Sequence, residues 1–465
     1  FIKHLWLLLS FFYGACAFNA QANSTSAIAS KNLAEAKIEN IVNSYVSNHA
    51  FDGVILVAKS GEIIFEQAYG LADRAENSAI KSDSAFQLAS LSKPITSALI
   101  LKLVEGGKLT LDATLAHYFP EFNNDFGKQV TIHHLLSHTS GLPNHFIIDG
   151  WFSHDFHKNT TEQSFIQLIS TLTPKSSAGS EYHYSNLGYF LLGKISEKAA
   201  GESFAANLKK YITAPLNMAA SGVLAGFEVP LNNVKGYQWQ HGGGYREQSA
   251  KNMTLFGAGA GMYSNVRDLH RFDLALYDNT LLSDSSKKRL FNPENPYSWR
   301  VGKMPLTDDL EVNVHAYDGK FDGFSAMMTR FIDDQHSIIL LSNTGMSYFL
   351  KAQLTLDIAN ILYNQDAENR ENNATLKLIN AVVNGSFDAM LSKITSGEAN
   401  FSLNEQSLSA LAFELLWSNE GENALQLFSF VAAKYPDSEA AKAKLLQACN
   451  HRLAKKAKSN AVICY

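Results

Sequence analysis

Cysteine is scarce in this chain, with three among 465 residues. So few exclude a small disulfide-stapled scaffold, and none has a histidine or carboxylate at ligand spacing, so no metal site and no thiol nucleophile is expected. Charge of one sign is also lacking. Against 44 acidic residues stand 39 lysines and arginines, a net charge of -5 that offers no basic face to a polyanion and sets nucleic acid aside as a partner. The apolar run at the N-terminus, Leu5 to Phe12, is shorter than the roughly 20 residues that cross a bilayer, so no membrane span is expected in the mature chain.

What is present reads as an ordinary globular protein, 46% hydrophobic and 18% charged, long enough for two or three units. Lys3 and His4 precede the apolar run, and small residues follow at Ala15-Cys16-Ala17 and Ala20-Gln21-Ala22, so residues 1–22 read as an export signal. The expected location is periplasmic or secreted. Lipid anchoring at Cys16 is the lesser alternative, because Tyr13 stands where an aliphatic residue is usual. Cys449 and Cys464 would then either pair or remain free thiols.

Leu33, Ile38, Ile41, Val42, Tyr45 and Val46 predict an amphipathic helix over 32–48. Two β-rich runs, 53–59 and 62–69, meet at Ser60-Gly61, a hairpin signal. A helical pattern opens at Ser90, mixed helices and loops continue to about 285, and strands are predicted at 310–317, 324–331 and 337–342 before a helix at 348–363. Strands at both ends of a helical middle predict an α+β fold: one antiparallel sheet flanked by helices, with an inserted helical subdomain. Residues 23–363 form this unit, the polar stretch 364–373 reads as a linker, and 374–465 as an all-helical tail. Within the tail Leu411, Ala412, Leu415, Ala424, Phe428 and Pro436 follow tetratricopeptide spacing: a helix at 405–418, a turn at 419–422 and a second helix ending before Pro436.

Ser90-Leu91-Ser92-Lys93 puts a hydroxyl and an amine one helical turn apart on one face. A serine attacks a carbonyl only when something takes its proton, and a lysine does so only when its pKa falls far below about 10.4. Burial near another positive charge would supply that shift. Tyr184-Ser185-Asn186 precedes a second helical run. A tyrosine beside a cationic lysine would have a depressed pKa and accept the serine proton as phenolate, while Asn186 would orient Lys93 and bind substrate. Alone, either motif is as well read as a helix cap or a buried loop tyrosine.

Together, in order and spacing, they are more specific. Phe86 to Lys93, its continuation Leu103 to Asp112, Val130 to Pro143, Tyr184 to Gly193 and Ala260 to Ser264 resemble successive motifs of the serine β-lactamase and penicillin-binding-protein superfamily, its class C members above all, over residues 35–363. The resemblance implies a β-lactamase/transpeptidase-like fold, acylation of Ser90, a base role shared by Lys93 and Tyr184, and no cofactor. The third motif departs from the family pattern. Where a lysine or histidine is expected ahead of a glycine, Tyr317-Asp318-Gly319-Lys320 places a tyrosine. Gly319 would keep the backbone close to substrate and the Lys320 N–H would be the second oxyanion donor. Without a cation at 317, the weight moves from β-lactams and free peptide C-termini to esters or amides lacking that carboxylate.

His241 to Gly244 looks like a lipase oxyanion stretch, but no Gly-x-Ser-x-Gly follows. The resemblance gives His133, His134 and His138 a structural role. The expected function is an exported serine hydrolase acting on a small-molecule or peptide ester, amide or lactam. The alternative is a catalytically weak hydrolase body whose helical tail holds a protein partner.

Overall fold

The computed structural model describes residues 33–151, 153–226, 234–240, 243–248, 251–398, 400–418 and 420–450. The expected export signal and Cys16 lie outside them. A six-stranded antiparallel sheet forms the centre: β1 (Gly53–Lys59), β2 (Glu62–Tyr69), β3 (Arg300–Thr307), β4 (Leu310–Phe321), β5 (Phe324–Phe331) and β6 (His336–Ser342), in the spatial order β3-β4-β5-β6-β1-β2. Pairing of Ile55 with Leu340 and Gly53 with Ser342 joins segments from opposite ends of the fold. Two hairpins turn through residue pairs in the left-handed region, Ser60-Gly61 (φ 51 and 80) and Asp322-Gly323 (φ 42 and 85). Those turns suit the strand twist, and Asp-Gly is a favoured pair for them.

Every residue of β5 and β6 is buried, so the sheet is covered on both faces. Alternation along β1 divides the covers: Val54, Leu56 and Ala58 face one apolar cluster, Ile55 and Val57 the other. The outer strand β3 escapes the sequence pattern because it is an edge. Its side chains are exposed or half-exposed, and it carries Lys303 and Pro305 where a central strand would carry aliphatics.

On the first face lies the helical subdomain, built around α2 (Ser92–Glu105) and α3 (Asn186–Ala200). Helix α2 is buried from Ser92 through Leu101 and again at Leu103, as a helix apolar on all sides must be. The second face is covered by α1 (33–46), α4 (Tyr348–Leu362) and the tail helices α5 (Ala374–Val383), α6 (Phe387–Ser396), α7 (Glu405–Trp417), α8 (Gly421–Lys434) and α9 (Glu439–Asn450). Helices α7 and α8 lie close to the two helices expected at 405–418 and before Pro436, with Leu411, Ala412, Leu415, Ala424 and Phe428 all buried.

The tail shares its core with the sheet. Leu408, Leu411 and Leu415 belong to the same apolar cluster as Leu340, Leu354 and Tyr45. Residues 365–370 carry no helix or strand, yet Arg370 among them is buried and grips Asp357 of α4 with two bonds, 2.7 and 2.9 Å. The Asp357 carboxylate also accepts from Tyr45 Oη at 3.0 Å, so α1, α4 and the start of the tail meet at one buried ion pair. Cys449 is disulfide-bonded, and Cys464 lies outside the described residues.

A shared core predicts cooperative unfolding. Leu415→Ala, at a fully buried position, should destabilise by about 2–5 kcal/mol and lower a single calorimetric transition. Two resolved transitions, of which only the smaller moves, would contradict the shared core.

Candidate active site

Ser90 sits in a tight 3-10 turn, Ala89–Leu91, immediately before α2, which opens at Ser92 rather than at Ser90 as expected. Ala89 is left-handed at φ 48, a conformation that strains a non-glycine residue by about 1–2 kcal/mol. The surroundings hold it there. Leu88 N donates to Met262 O at 2.9 Å, Met262 N donates to Ser92 Oγ at 3.2 Å, and Leu91 N closes the turn on Leu88 O at 3.1 Å. The strained turn lifts the Ser90 hydroxyl out of the helix and towards Tyr184.

The three expected side chains do converge. Ser90 Oγ lies 2.6 Å from Tyr184 Oη and 3.1 Å from Lys93 Nζ. Lys93 also donates to Asn186 Oδ1 at 2.6 Å and to Gly259 O at 2.7 Å. Its side chain is completely buried, and this desolvation lowers its pKa well below the usual lysine range, with Asp318 opposing. The expected mechanism of the shift, a neighbouring cation, is therefore replaced by burial alone.

A neutral amine has two N–H groups and one lone pair. The two shorter contacts go to oxygens that can only accept, so they take both N–H groups, and the lone pair is left facing Ser90. Tyr184 corrects the sequence expectation. Loss of water around its hydroxyl raises its pKa, with the Ser90 contact only partly opposing. Burial therefore favours a neutral amine and a neutral phenol over an ammonium and a phenolate, although both pairs carry the same total charge.

The loop bearing Tyr184 and Asn186 is pinned by the segment 138–145. His183 N donates to His138 O at 2.7 Å, and Ser185 N donates to His138 Nδ1 at 3.2 Å. The His138 ring packs 4.7 Å from that of Tyr184. Ser185 caps α3 by accepting from Gly188 N and donates to Pro143 O at 2.9 Å. Asn144 Oδ1 accepts from both Asn186 N and Asn186 Nδ2, each at 3.2 Å, and His145 Nδ1 lies 3.1 Å from Asn186 Nδ2. Burial pushes His145 down to about 3, so it stays neutral and its Nδ1 accepts. Asn144 and His145 were missed from sequence, although they directly follow the Val130–Pro143 motif. The three histidines earlier in that motif serve separately: His133 bonds Tyr297 Oη at 2.6 Å, His134 completes a capping box with Thr131, and His138 holds the Tyr184 loop.

Strand β4 brings the third motif to the site. A Cβ on Gly319 would stand 2.1 Å from Leu88 O and 2.8 Å from Ser90 N, so only glycine lets the strand lie on the nucleophile turn. Tyr317 is buried on the same face, its hydroxyl close to those of Tyr184 and Ser298. Among the described residues of this strand and its neighbour β3, the cations near position 317 are already engaged. His315 stacks on Phe291 at 4.2 Å and is driven down to about 3 by burial and Arg330. Arg300 lies over the Tyr317 ring at 5.3 Å but is bound to Asp318 at 2.7 Å. The Lys320 side chain alternates to the opposite face and pairs with Glu414 of α7.

Beside Ser90 opens a cavity of ≈ 330 Å³ whose walls include Phe146, Trp151, Phe256 and Phe321. The Lys251–Asp322 ion pair, 3.3 Å, also lines it. An apolar wall around a hydroxyl flanked by a basic lone pair suits attack on the carbonyl of an apolar acyl group.

Because the neutral form of Lys93 is the reactive one, Ser90 reactivity should rise with pH through the lowered lysine pKa and be flat above it. Labelling by a fluorophosphonate across pH 4–9 reads this directly. Lys93→Arg, which cannot deprotonate, should abolish labelling at every pH; a profile unchanged in that variant would show that the amine takes no proton.

Comparison with known proteins identifies the family of this fold. The beta-lactamase family matches residues 38–361. Over 330 residues the chain is 32% identical to penicillin-binding protein 4* of Bacillus subtilis (strain 168), spanning 66% of this chain and 71% of that protein. It is 36% identical over 199 residues to esterase EstB of Burkholderia gladioli, across 39% of this chain and 50% of that one. The crystal structure of a penicillin binding protein from Bacillus halodurans superposes with a TM-score of 0.59 at 25% identity, over 68% of this chain and 98% of its own. With residues 38–361 matched by one family, and with Ser90, Lys93 and Tyr184 gathered within hydrogen-bond reach, the chain belongs to the beta-lactamase family of serine hydrolases.

Proposed function

We propose that this protein is an exported serine hydrolase that forms an acyl-enzyme on Ser90 and acts on esters or amides of apolar acyl groups lacking a neighbouring carboxylate. The observation that carries the reading is the placement of Ser90 Oγ between Lys93 Nζ at 3.1 Å and Tyr184 Oη at 2.6 Å. In acylation, Oγ bonds to the substrate carbonyl carbon while its proton passes to the Lys93 lone pair. The tetrahedral oxyanion then collapses, the bond to the leaving oxygen or nitrogen breaks, and that atom takes a proton through the Tyr184 hydroxyl. In deacylation, water gives its proton to the same pair, adds to the acyl carbon and releases the acid, returning the proton to Ser90.

Two backbone N–H groups, of Ser90 and Lys320, are assigned to the oxyanion, each worth about 3 kcal/mol of transition-state stabilisation. Gly319 supports this assignment, because its lack of a side chain brings β4 against the Ser90 turn. The substrate class follows from the charges. Arg300 is tied to Asp318 and Lys320 to Glu414, so neither offers a free partner for a carboxylate at the third motif. One relative is named an esterase and another a penicillin-binding protein, which supports ester and amide chemistry on the same scaffold. Export rests on the apolar run Leu5 to Phe12 and on the disulfide at Cys449, which suits an oxidising compartment. Among the described residues no helix is long and apolar enough to cross a membrane.

Side-by-side assays of p-nitrophenyl esters and nitrocefin test both parts. An aromatic acyl ester should exceed nitrocefin in kcat/KM by at least roughly tenfold, about 1.4 kcal/mol, and Ser90→Ala should remove turnover and phosphonate labelling together. Faster nitrocefin turnover would overturn the substrate class, and turnover surviving in Ser90→Ala would overturn the nucleophile. Phe146, 61% exposed at the cavity rim, should matter for bulky acyl groups only. Phe146→Ala is expected to lower kcat/KM by about tenfold for phenylacetyl esters and leave acetyl esters nearly unchanged.

A further inference from the structure

The family match ends at residue 361, yet a carboxylate from beyond it reaches the strand on which the oxyanion site is built. Alternation along β4 gives that strand two faces. Tyr317, Gly319 and Phe321 look towards the nucleophile side and its apolar cluster, while Asp318 and Lys320 look outward to α4 and the tail. On the inner face the fit has no slack, since a single added Cβ at Gly319 would overlap Leu88 O and crowd Ser90 N. Whatever fixes the outer face of residues 318–320 therefore fixes the approach of β4 to Ser90.

Two lysines provide that fixing from opposite directions. Lys351 of α4, fully buried, donates to Asp318 Oδ2 at 2.9 Å, to Gly319 O at 2.9 Å and to Ala326 O at 3.2 Å. Lys320 reaches out of the strand to Glu414, a buried carboxylate on α7 of the tail. Removing Glu414 would leave Lys320 without its anion beside an apolar cluster, and the amine would turn towards water, drawing on the strand that bears it. A second contact ties the tail to the same neighbourhood. Gly244 N donates to Val383 O at the end of α5, at 2.6 Å. Gly244 lies in the hairpin between Tyr237–Trp239 and Tyr245–Glu247, and Gly236 just ahead of that hairpin packs against Asp322 O.

We propose that the tail is a working part of the hydrolase, with Glu414 as a positioning residue that holds the Lys320 N–H at the oxyanion through its ion pair with the Lys320 side chain. The tail then acts on the turnover of substrate rather than on its capture. This inference rests on the hydrolase reading of Ser90, and the experiment keeps the two separable.

Glu414→Gln, Lys320→Met and the double variant are made in the full-length chain. Each is assayed with a p-nitrophenyl ester well below its melting temperature, with rates taken per phosphonate-reactive site. Each single variant should lose about tenfold in kcat with KM within about twofold, and the double should be no worse than the poorer single, because both remove one interaction. Exchanging the charges, Lys320→Glu with Glu414→Lys, should restore part of the lost kcat. Hydrogen exchange at residues 317–321 should speed up in Glu414→Gln while β6 stays protected. Unchanged kcat per reactive site, a loss confined to KM, or additive effects in the double variant would overturn the proposal. If the wild-type chain hydrolyses nothing, the hydrolase reading fails, and the exchange arm alone decides whether Glu414 holds the strand.

Discussion

The site depends on one lysine amine taken out of water and handed to two oxygens that can only accept. Asn186 Oδ1 and Gly259 O together saturate the N–H groups of a neutral Lys93, which turns its lone pair onto Ser90 Oγ. Burial makes the ammonium form costly, and among the described residues no carboxylate bonds the amine to restore it. Most of the other features around the pocket serve that arrangement. Asn144, His138 and Ser185 fix the loop that carries Asn186, and the Ala89 turn presents the hydroxyl at the right distance.

The same logic explains why a phenol stands beside the amine. A cationic Lys93 would have stabilised a phenolate, but a neutral one leaves Tyr184 protonated and able to donate. A neutral donor and a neutral acceptor on either side of one hydroxyl can pass a proton in both directions with little charge separation, which a two-step acyl transfer requires.

The sheet links this chemistry to the rest of the chain because both its faces are covered. One face holds α2 and the nucleophile turn, the other α4 and the tail, and β4 passes between them with Gly319 against Ser90 and Lys320 against Glu414. A strand gripped from both sides cannot shift independently of either. The cavity beside Ser90 is lined in part by Phe321 and Asp322 at the β4–β5 turn, which touches Gly236, and Gly244 farther along the chain bonds the tail.

Much of this was legible in the order of residues. Period-two and helical patterns gave the hairpin at Ser60-Gly61, β5, and helices α2, α4, α7 and α8 close to their ends, because buried strands and helices must repeat their apolar residues. Ser90, Lys93, Tyr184 and Asn186 were recognisable because each sits in a local motif that folds around it. Edge strand β3 was hidden by its own exposure, and Asn144 and Gly259 by having no chemistry of their own to signal. By itself the sequence determined which groups could react and which family of folds would hold them. The direction of the Tyr184 shift, the burial of Lys93 without a cationic neighbour, the silencing of Arg300 by Asp318 and the reach of Glu414 to Lys320 were decided only by tertiary structure, since desolvation and charge pairing depend on neighbours far away along the chain.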